Sequence, residues 1–124
     1  MSIQVPLPEV PAAVEFFGAE GYVLTANSTG AVRAAGVQVR CDGDRLRIGA
    51  GRAASANVEA AGLVTLLFAP LEAKGHTLLV DGTAVVAGDE IVITPTSGVL
   101  HRPPYHSDGP PPPAIAAAWR PGGC

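Results

Sequence analysis

Apolar and polar residues alternate over several short stretches of the chain. The clearest case is Val37-Gln38-Val39-Arg40, and Arg45-Leu46-Arg47-Ile48-Gly49 repeats the pattern after the turn at Asp42-Gly43-Asp44. Alternation places apolar side chains on one face of a β-strand, and an Asp-Gly pair favours a tight hairpin turn. The pattern therefore predicts two half-buried strands joined by a hairpin.

Six strands are predicted along the chain. They are expected at residues 21–26, 31–41, 45–49, 63–68, 76–86 and 90–94. The fourth is continuously apolar, which is typical of a strand buried on both faces. The pair Asp81-Gly82 lies inside the fifth, and we expect that strand to continue through it. Residues 95–109 are expected to be irregular.

Two short helices are predicted beside the strands. The first is expected within residues 11–20, where Pro11 suits the first turn, and it would close one end of a barrel. The second is expected over Arg52 to Ala61, an alanine-rich stretch with Ser55 or Asn57 as its cap.

The order of these elements is helix, three strands, helix, three strands. A short sheet of this kind hides its edges by closing or half-closing into a barrel. We therefore predict a mostly β protein, an antiparallel barrel of six strands with short flanking helices.

The chain is predicted to be one domain, residues 1–124. Its core is expected over about residues 14–103, with residues 1–10 as an N-terminal arm. Residues 104–124 are proline-rich and are expected to form a tail, whose Trp119 docks on this chain or on a second subunit.

Apolar residues make up 48% of the chain and charged residues 15%. This composition excludes a disordered chain and indicates that a partner covers part of the surface, so we expect a homodimer. The net charge of −3 provides no general attraction to nucleic acid or to anionic lipid. We therefore expect neither nucleic acid nor a membrane as a partner.

Three features predict a cytoplasmic location. The N-terminal residues lack a basic segment followed by an apolar one, so no signal peptide is predicted. No apolar run reaches the roughly 18 residues that span a bilayer. The two cysteines, Cys41 and Cys124, are too few for a secreted disulfide scaffold, and we expect both to be free thiols.

Three stretches of the chain resemble the flavin-binding split barrels related to pyridoxamine 5′-phosphate oxidase. They are residues 21–48, with the Asp-Gly-Asp turn at 42–44, residues 49–58, and His76 to Val86. The resemblance covers about residues 16–103. It implies a six-stranded antiparallel split β-barrel and a homodimer, with one flavin in each of two grooves at the subunit interface.

The resemblance also implies where a cofactor phosphate would bind. In the family, basic and hydroxyl groups from the second and third strands and the following loop usually hold it. Carried over, Arg47 or Arg52 would contact the phosphate. Ser55 would donate a hydroxyl hydrogen bond, and Asn57 would lie nearby; such groups and a helix N-terminus all favour a phosphate. The implied cofactor is FMN, with a deazaflavin coenzyme as the alternative.

The sequence departs from the family pattern at two places. Ala56 stands where the family commonly has a basic residue, and Gly49-Ala50 replaces a common threonine. Losing a charge-assisted contact costs about 1.5–3 kcal/mol, roughly tenfold to a hundredfold in affinity. Arg33 and Arg40 are possible substitutes, but strand alternation lets only one of them face the groove.

Several functions are compatible with these residues. The first is a flavin- or deazaflavin-dependent oxidoreductase of unknown substrate, for which no catalytic side chain is identified. The second is a cofactor carrier or sensor without turnover. The alternative is a non-catalytic split-barrel dimer that has lost the cofactor and serves a binding or structural role. No metal site is predicted, because His76, His101 and His106 lack metal-binding spacing.

Overall fold

An antiparallel sheet curls around the core in the computed structural model, which describes residues 2–102. The described residues form eight strands: β1 (Ser2–Val5), β2 (Glu20–Ala26), β3 (Val32–Gln38), β4 (Arg40–Asp42), β5 (Arg45–Gly49), β6 (Leu63–Phe68), β7 (Thr77–Ala87) and β8 (Glu90–His101). The α-helices are α1 (Val10–Phe16) and α2 (Arg52–Ala61), and a 3₁₀ turn, Leu7–Glu9, precedes α1.

The order of strands in the sheet is β3-β2-β6-β7-β8-β5-β4, and all neighbours are antiparallel. Strand β8 pairs with β5 through its first residues and with β1 through its last. The two ends of the order, β3 and β4, are separated in the chain only by Val39, so the ends of the curled sheet are joined. This arrangement confirms the predicted mostly β, antiparallel split barrel with short flanking helices.

The strand count exceeds the predicted six for two reasons. The strand expected over residues 31–41 bends at Val39, whose N–H donates to the Ala19 carbonyl at 2.8 Å, and so becomes β3 and β4. Residues Ser2–Val5, expected in an arm, instead extend the sheet beside β8.

Strand β8 continues to His101, through residues that were expected to be irregular. Pro95 lies within it, where a proline normally disrupts a sheet because it lacks an N–H. The register shifts between Asp81 and Gly82 of β7, which face Ser97 and Pro95. This β-bulge leaves the ladder locally irregular, which is where a strand tolerates a proline.

The interior of the barrel is filled by alternate residues of the strands. The aliphatic and aromatic strand side chains with no more than 1% exposure are Phe68, Leu46, Ile48, Leu66, Leu78, Val80, Ile91 and Ile93. Strand β6 was expected to be buried on both faces, and that expectation is wrong at Leu63, which is 64% exposed. The reason is that β6 lies in an antiparallel sheet with one face turned outward.

The helices pack against the barrel and bury one side each. Helix α1 buries Val10, Ala13 and Val14. Helix α2 buries Ala54 and Val58.

The ends of α2 are formed by glycines. The helix finishes at Gly62, which adopts a left-handed conformation (φ +68°) and whose carbonyl accepts a hydrogen bond from Ala84 N–H at 2.9 Å. Its N-cap is Gly51, with no side-chain hydrogen bond. The expectation that Ser55 or Asn57 caps the helix is therefore wrong, because both lie inside it.

Three expectations concern the remaining features. The proline-rich tail, Trp119 and Cys124 lie outside the described residues. Cys41 is not a free thiol in the structure, so that expectation is wrong for this residue. Within residues 2–102, no helix is both long enough and apolar enough to cross a bilayer.

Candidate functional site

A groove opens between β3 and the beginning of α2. The cavity at this place has a volume of about 360 Å³. Strands β2 and β3 line one side, and the end of β5 with the first turn of α2 lines the other; the lining residues are Val23, Ala35, Gly36, Val37, Gln38, Gly49, Gly51 and Ala54. Most of these side chains are small, so a ligand can approach the backbone closely.

The N-terminus of α2 borders this groove. Because Gly51 provides no side-chain cap, the first backbone N–H groups of the helix have no partner from a capping side chain. These groups carry the positive end of the helix dipole, which favours an anion. Arg52, the first helical residue, is exposed and forms no hydrogen bond or ion pair with other described residues.

The other two predicted site residues of α2 have different roles in the structure. Ser55 is half-buried one turn into the helix, and its N–H donates to the Gly51 carbonyl at 2.9 Å. Asn57 Nδ2 donates to Thr25 Oγ1 at 2.9 Å, and Thr25 is only 5% exposed. Asn57 therefore anchors α2 on β2, which fixes the position of the helix at the groove.

Arg47 lies on the outer face of β5, because its neighbours Leu46 and Ile48 point into the core. Its Nε donates to Asp42 Oδ2 at 2.7 Å, and its Nη1 lies 3.3 Å from Glu90 Oε1. Arg47, unlike Arg52, is therefore already bonded to two carboxylates.

The same ion-pair network includes Arg40, whose Nη2 lies 2.7 Å from Glu90 Oε2. The hydrogen bond from Arg47 is the largest cause that lowers the pKa of Asp42 below its ordinary value. The hydrogen bond from Arg40 is the largest cause that lowers the pKa of Glu90. Both carboxylates are therefore held in the ionised form that neutralises these arginines.

Of the two substitute cations, Arg33 is the one on the sheet face that α2 contacts. The strand register pairs Arg33 with Thr25, so both lie on the same face of the sheet, the face that Asn57 of α2 contacts. Ala35, which lines the groove, is the next residue of β3 on that face, about 7 Å along the strand. The sequence left the choice between Arg33 and Arg40 open; the apolar Val37, which has the parity of Arg33, is the signal that could have decided it.

The opposite face of the sheet, called here the outer face, carries several exposed apolar side chains where β2, β6 and β7 adjoin. Register places Tyr22, Leu67 and Leu79 side by side on adjacent strands of this face. Tyr22 is 51% exposed, and Leu63 and Val85 are 64% and 63% exposed. Exposed apolar side chains on one sheet face are characteristic of an interaction surface.

The fold has clear relatives among solved structures. An F420 reductase matches with a TM-score of 0.54 and 17% identity, over 64% of this chain and 88% of its own. An FMN-binding domain of a flavin reductase-like enzyme from Shewanella baltica matches with a TM-score of 0.59 and 10% identity, over 81% of this chain and 77% of its own. HutZ, a heme storage protein from Vibrio cholerae, matches with a TM-score of 0.57 and 13% identity, over 76% of this chain and 94% of its own.

The chain has the pyridoxamine 5′-phosphate oxidase-like split-barrel fold. Pyridoxamine 5′-phosphate oxidase-like proteins also match, with TM-scores of 0.54 and 0.52. The sequence itself matches no protein-family model and no curated protein. The resemblance inferred from the sequence is thus confirmed for the fold, while the low identities carry no information about a reaction.

Proposed function

We propose that this protein binds a flavin or deazaflavin nucleotide, with the phosphate in the groove between β3 and α2. The observation that carries the proposal is the N-terminus of α2, which has no side-chain cap and borders a groove of small residues beside Arg33 and Arg52. The FMN-binding and F420 reductase structures with this fold support the choice of cofactor.

The described residues fit the phosphate end of such a nucleotide. Arg52 and the first N–H groups of α2 supply positive charge and donors on one side, and Arg33 supplies a guanidinium on the other. The Ser55 hydroxyl supplies a further donor next to the helix start. When bound, the cofactor would supply hydride transfer, and the chain would bind and orient it. The protein would then be an oxidoreductase of unknown substrate.

Titration with FMN, followed by absorbance, tests this proposal, and a deazaflavin provides a second titration. Replacement of Arg33 or Arg52 by alanine is expected to weaken cofactor binding about tenfold to a hundredfold, because each removes a charge-assisted contact. Ser55→Ala is expected to weaken it about fivefold, the value for a neutral hydrogen bond. Arg47→Ala is expected to have a smaller effect than Arg52→Ala, because Asp42 and Glu90 already bind Arg47.

The charge-matched control is Arg45→Ala, which removes an exposed arginine from the outer face of β5. It loses the same charge without altering the groove, so we expect no change in affinity. Equal weakening by Arg45→Ala would mean that the arginines act only through net charge. A wild-type protein that binds neither cofactor at high micromolar concentration would overturn the proposal.

The alternative function is a non-catalytic split-barrel dimer without a cofactor. Ala56 and Gly49-Ala50 favour it, since they remove a cation and a hydroxyl that related proteins commonly place at this site. The same titration separates the two functions. A cytoplasmic location, and the absence of nucleic-acid and membrane partners, stay predictions.

We also propose that two copies of this chain associate through the outer face. Leu63 and Val85 lie on adjacent strands of this face and are both more than half exposed. Covering them removes apolar surface from water, which stabilises the dimer by roughly 25 cal/mol for each Å² of apolar area buried.

Sedimentation equilibrium tests the dimer. The wild-type protein is expected to have twice the chain mass at micromolar concentration, and Leu63→Glu is expected to shift it toward the monomer because a charge would be buried in the interface. Leu71→Glu is the matched control, since Leu71 is 51% exposed but lies in the loop after β6. A wild-type monomer at micromolar concentration would contradict the dimer.

A further inference from the structure

The groove between β3 and α2 continues around the free edge of β3. Among the described strands, β3 pairs with β2 alone. Residues 36–38 of β3 line the groove, and they also line a second cavity of about 440 Å³, together with residues 20–22 of β2. Consecutive residues of a strand point to opposite faces, so a cavity lined by all three reaches the edge of the strand. The two cavities therefore meet at the free edge of β3.

Gly36 stands at the place where the two cavities meet. It pairs with Tyr22 of β2, and a Cβ at Gly36 would meet nothing closer than Tyr22 Cε1 at 4.0 Å. A glycine inside a strand marks a bulge, a bend or a place where a ligand approaches the backbone closely. The register of β2 and β3 is regular through Gly36, its φ is not positive, and the chain bends only at Val39. The close approach of a ligand is the explanation that fits this glycine.

Tyr22 presents an aromatic ring at the second cavity. Tyr22 is 51% exposed, and it is the only exposed aromatic residue among residues 2–102. An exposed aromatic ring beside a cavity is a surface on which the planar ring of a ligand can stack. The second cavity therefore has one wall suited to a planar ring.

Gln38 provides a polar group at the same cavity. Its Nε2 donates to Glu20 Oε1 at 3.0 Å, which orients the amide. No described residue donates a hydrogen bond to Gln38 Oε1, so this oxygen can accept one from a ligand N–H. An aromatic face next to an amide acceptor suits a planar ring that has a polar edge.

We infer that Tyr22 binds the planar ring of the nucleotide by stacking and makes the site selective for phosphates that carry such a ring. The role of Tyr22 rests on the nucleotide binding proposed above. The phosphate would lie at the start of α2, and the ring would lie past Gly36 against Tyr22, with its polar edge at Gln38. The two cavities, about 360 and 440 Å³, have the size of small-molecule sites. The proposed dimer contacts Leu63 and Val85 line neither cavity.

Titrations of the full chain with FMN and with riboflavin, which has the same ring without the phosphate, test the role of Tyr22. Tyr22→Ala is expected to weaken the binding of both ligands about tenfold, because it removes the stacking surface. Arg52→Ala is expected to weaken the binding of FMN and to leave that of riboflavin unchanged, because it removes only a phosphate contact. Tyr22→Phe keeps an aromatic ring and should bind both ligands as the wild-type protein does.

Gly36→Val tests the proposed position of the ligand from the neighbouring strand. Its branched side chain would fill the place where the two cavities meet, and valine favours strands, so we expect the fold to be kept. The binding of FMN and riboflavin should weaken about tenfold or more, because the side chain blocks the ligand. Leu71→Ala is the control: Leu71 is 51% exposed, as Tyr22 is, but lines neither cavity, so the affinity should not change. Urea unfolding of each variant establishes that it is folded.

The cofactor site and the role of Tyr22 can fail separately. FMN binding that depends on Arg52 but is unchanged in Tyr22→Ala would overturn the role of Tyr22 and leave the proposed phosphate site standing. Equal losses of affinity in Tyr22→Phe and Tyr22→Ala would also overturn it, because stacking survives in the phenylalanine variant. A wild-type protein that binds only the deazaflavin is compared with the same variants using that ligand. A wild-type protein that binds none of these ligands at high micromolar concentration would overturn both proposals.

Discussion

Replacing Phe68 by alanine is expected to lower the free energy of unfolding by about 3–5 kcal/mol. Phe68 is fully buried and is the largest of the fully buried side chains in the described chain. It lies on β6, between β2 and β7, and its ring packs directly over Gly21, where a Cβ would come within 2.8 Å of Phe68 Cδ1. Removing the ring leaves a cavity that the surrounding strands cannot fill, because they are hydrogen-bonded on both sides.

Urea unfolding followed by circular dichroism measures this effect. Phe68→Leu is expected to lower the free energy of unfolding by less than Phe68→Ala, because it keeps most of the apolar volume. It also serves as the measurable variant if Phe68→Ala does not fold. Leu71→Ala is the surface control, and we expect a change within about 0.5 kcal/mol. A loss below about 1 kcal/mol for Phe68→Ala would contradict the described core.

Gly82→Ala is expected to destabilise the fold by about 1–3 kcal/mol. A Cβ at this position would lie 2.7 Å from Ile93 Cγ2 and 2.8 Å from the Thr94 carbonyl oxygen. The second contact is to backbone in the middle of the β7–β8 ladder, so it cannot be relieved by rotating a side chain. The bulge between Asp81 and Gly82 brings the strands this close, which is why a glycine is required there.

Gly36→Ala is the matched control for Gly82→Ala. Both glycines lie in strands, but a Cβ at Gly36 would meet nothing closer than Tyr22 Cε1 at 4.0 Å. The methyl group restricts the unfolded chain without a clash, so we expect a gain of about 0.4–1 kcal/mol in the free energy of unfolding. Both variants are compared by urea unfolding, and a Gly82→Ala variant as stable as Gly36→Ala would exclude the close approach at the bulge.

The candidate site was predictable from the sequence in part. The bounds of α2, Arg52 to Ala61, follow from composition, and they place Arg52, Ser55 and Asn57 on one helix. The uncapped N-terminus was not predictable, because Ser55 and Asn57 have the chemistry of caps and only the structure shows them inside the helix. The hydrogen bond from Asn57 to Thr25 joins residues that are distant in the chain. Such a contact leaves no local pattern.

The contacts of the arginines likewise could be predicted only in part from local sequence patterns. Alternation predicts that Arg47 points away from Leu46 and Ile48, and the structure agrees. That its guanidinium binds Glu90, 43 residues away, depends on the pairing of β5 with β8. Local period determines the face of a strand on which a side chain lies, but not the residue that a neighbouring strand places beside it.

The sequence by itself determined the antiparallel barrel and its inner face, because alternation, turn residues and helix composition are local signals. Tertiary structure alone decided the bend at Val39, the pairing of Ser2–Val5 with β8, and the complete burial of His76. These features depend on backbone groups that lie far apart in the chain. These interactions form only after the sheet has curled and brought its edges together.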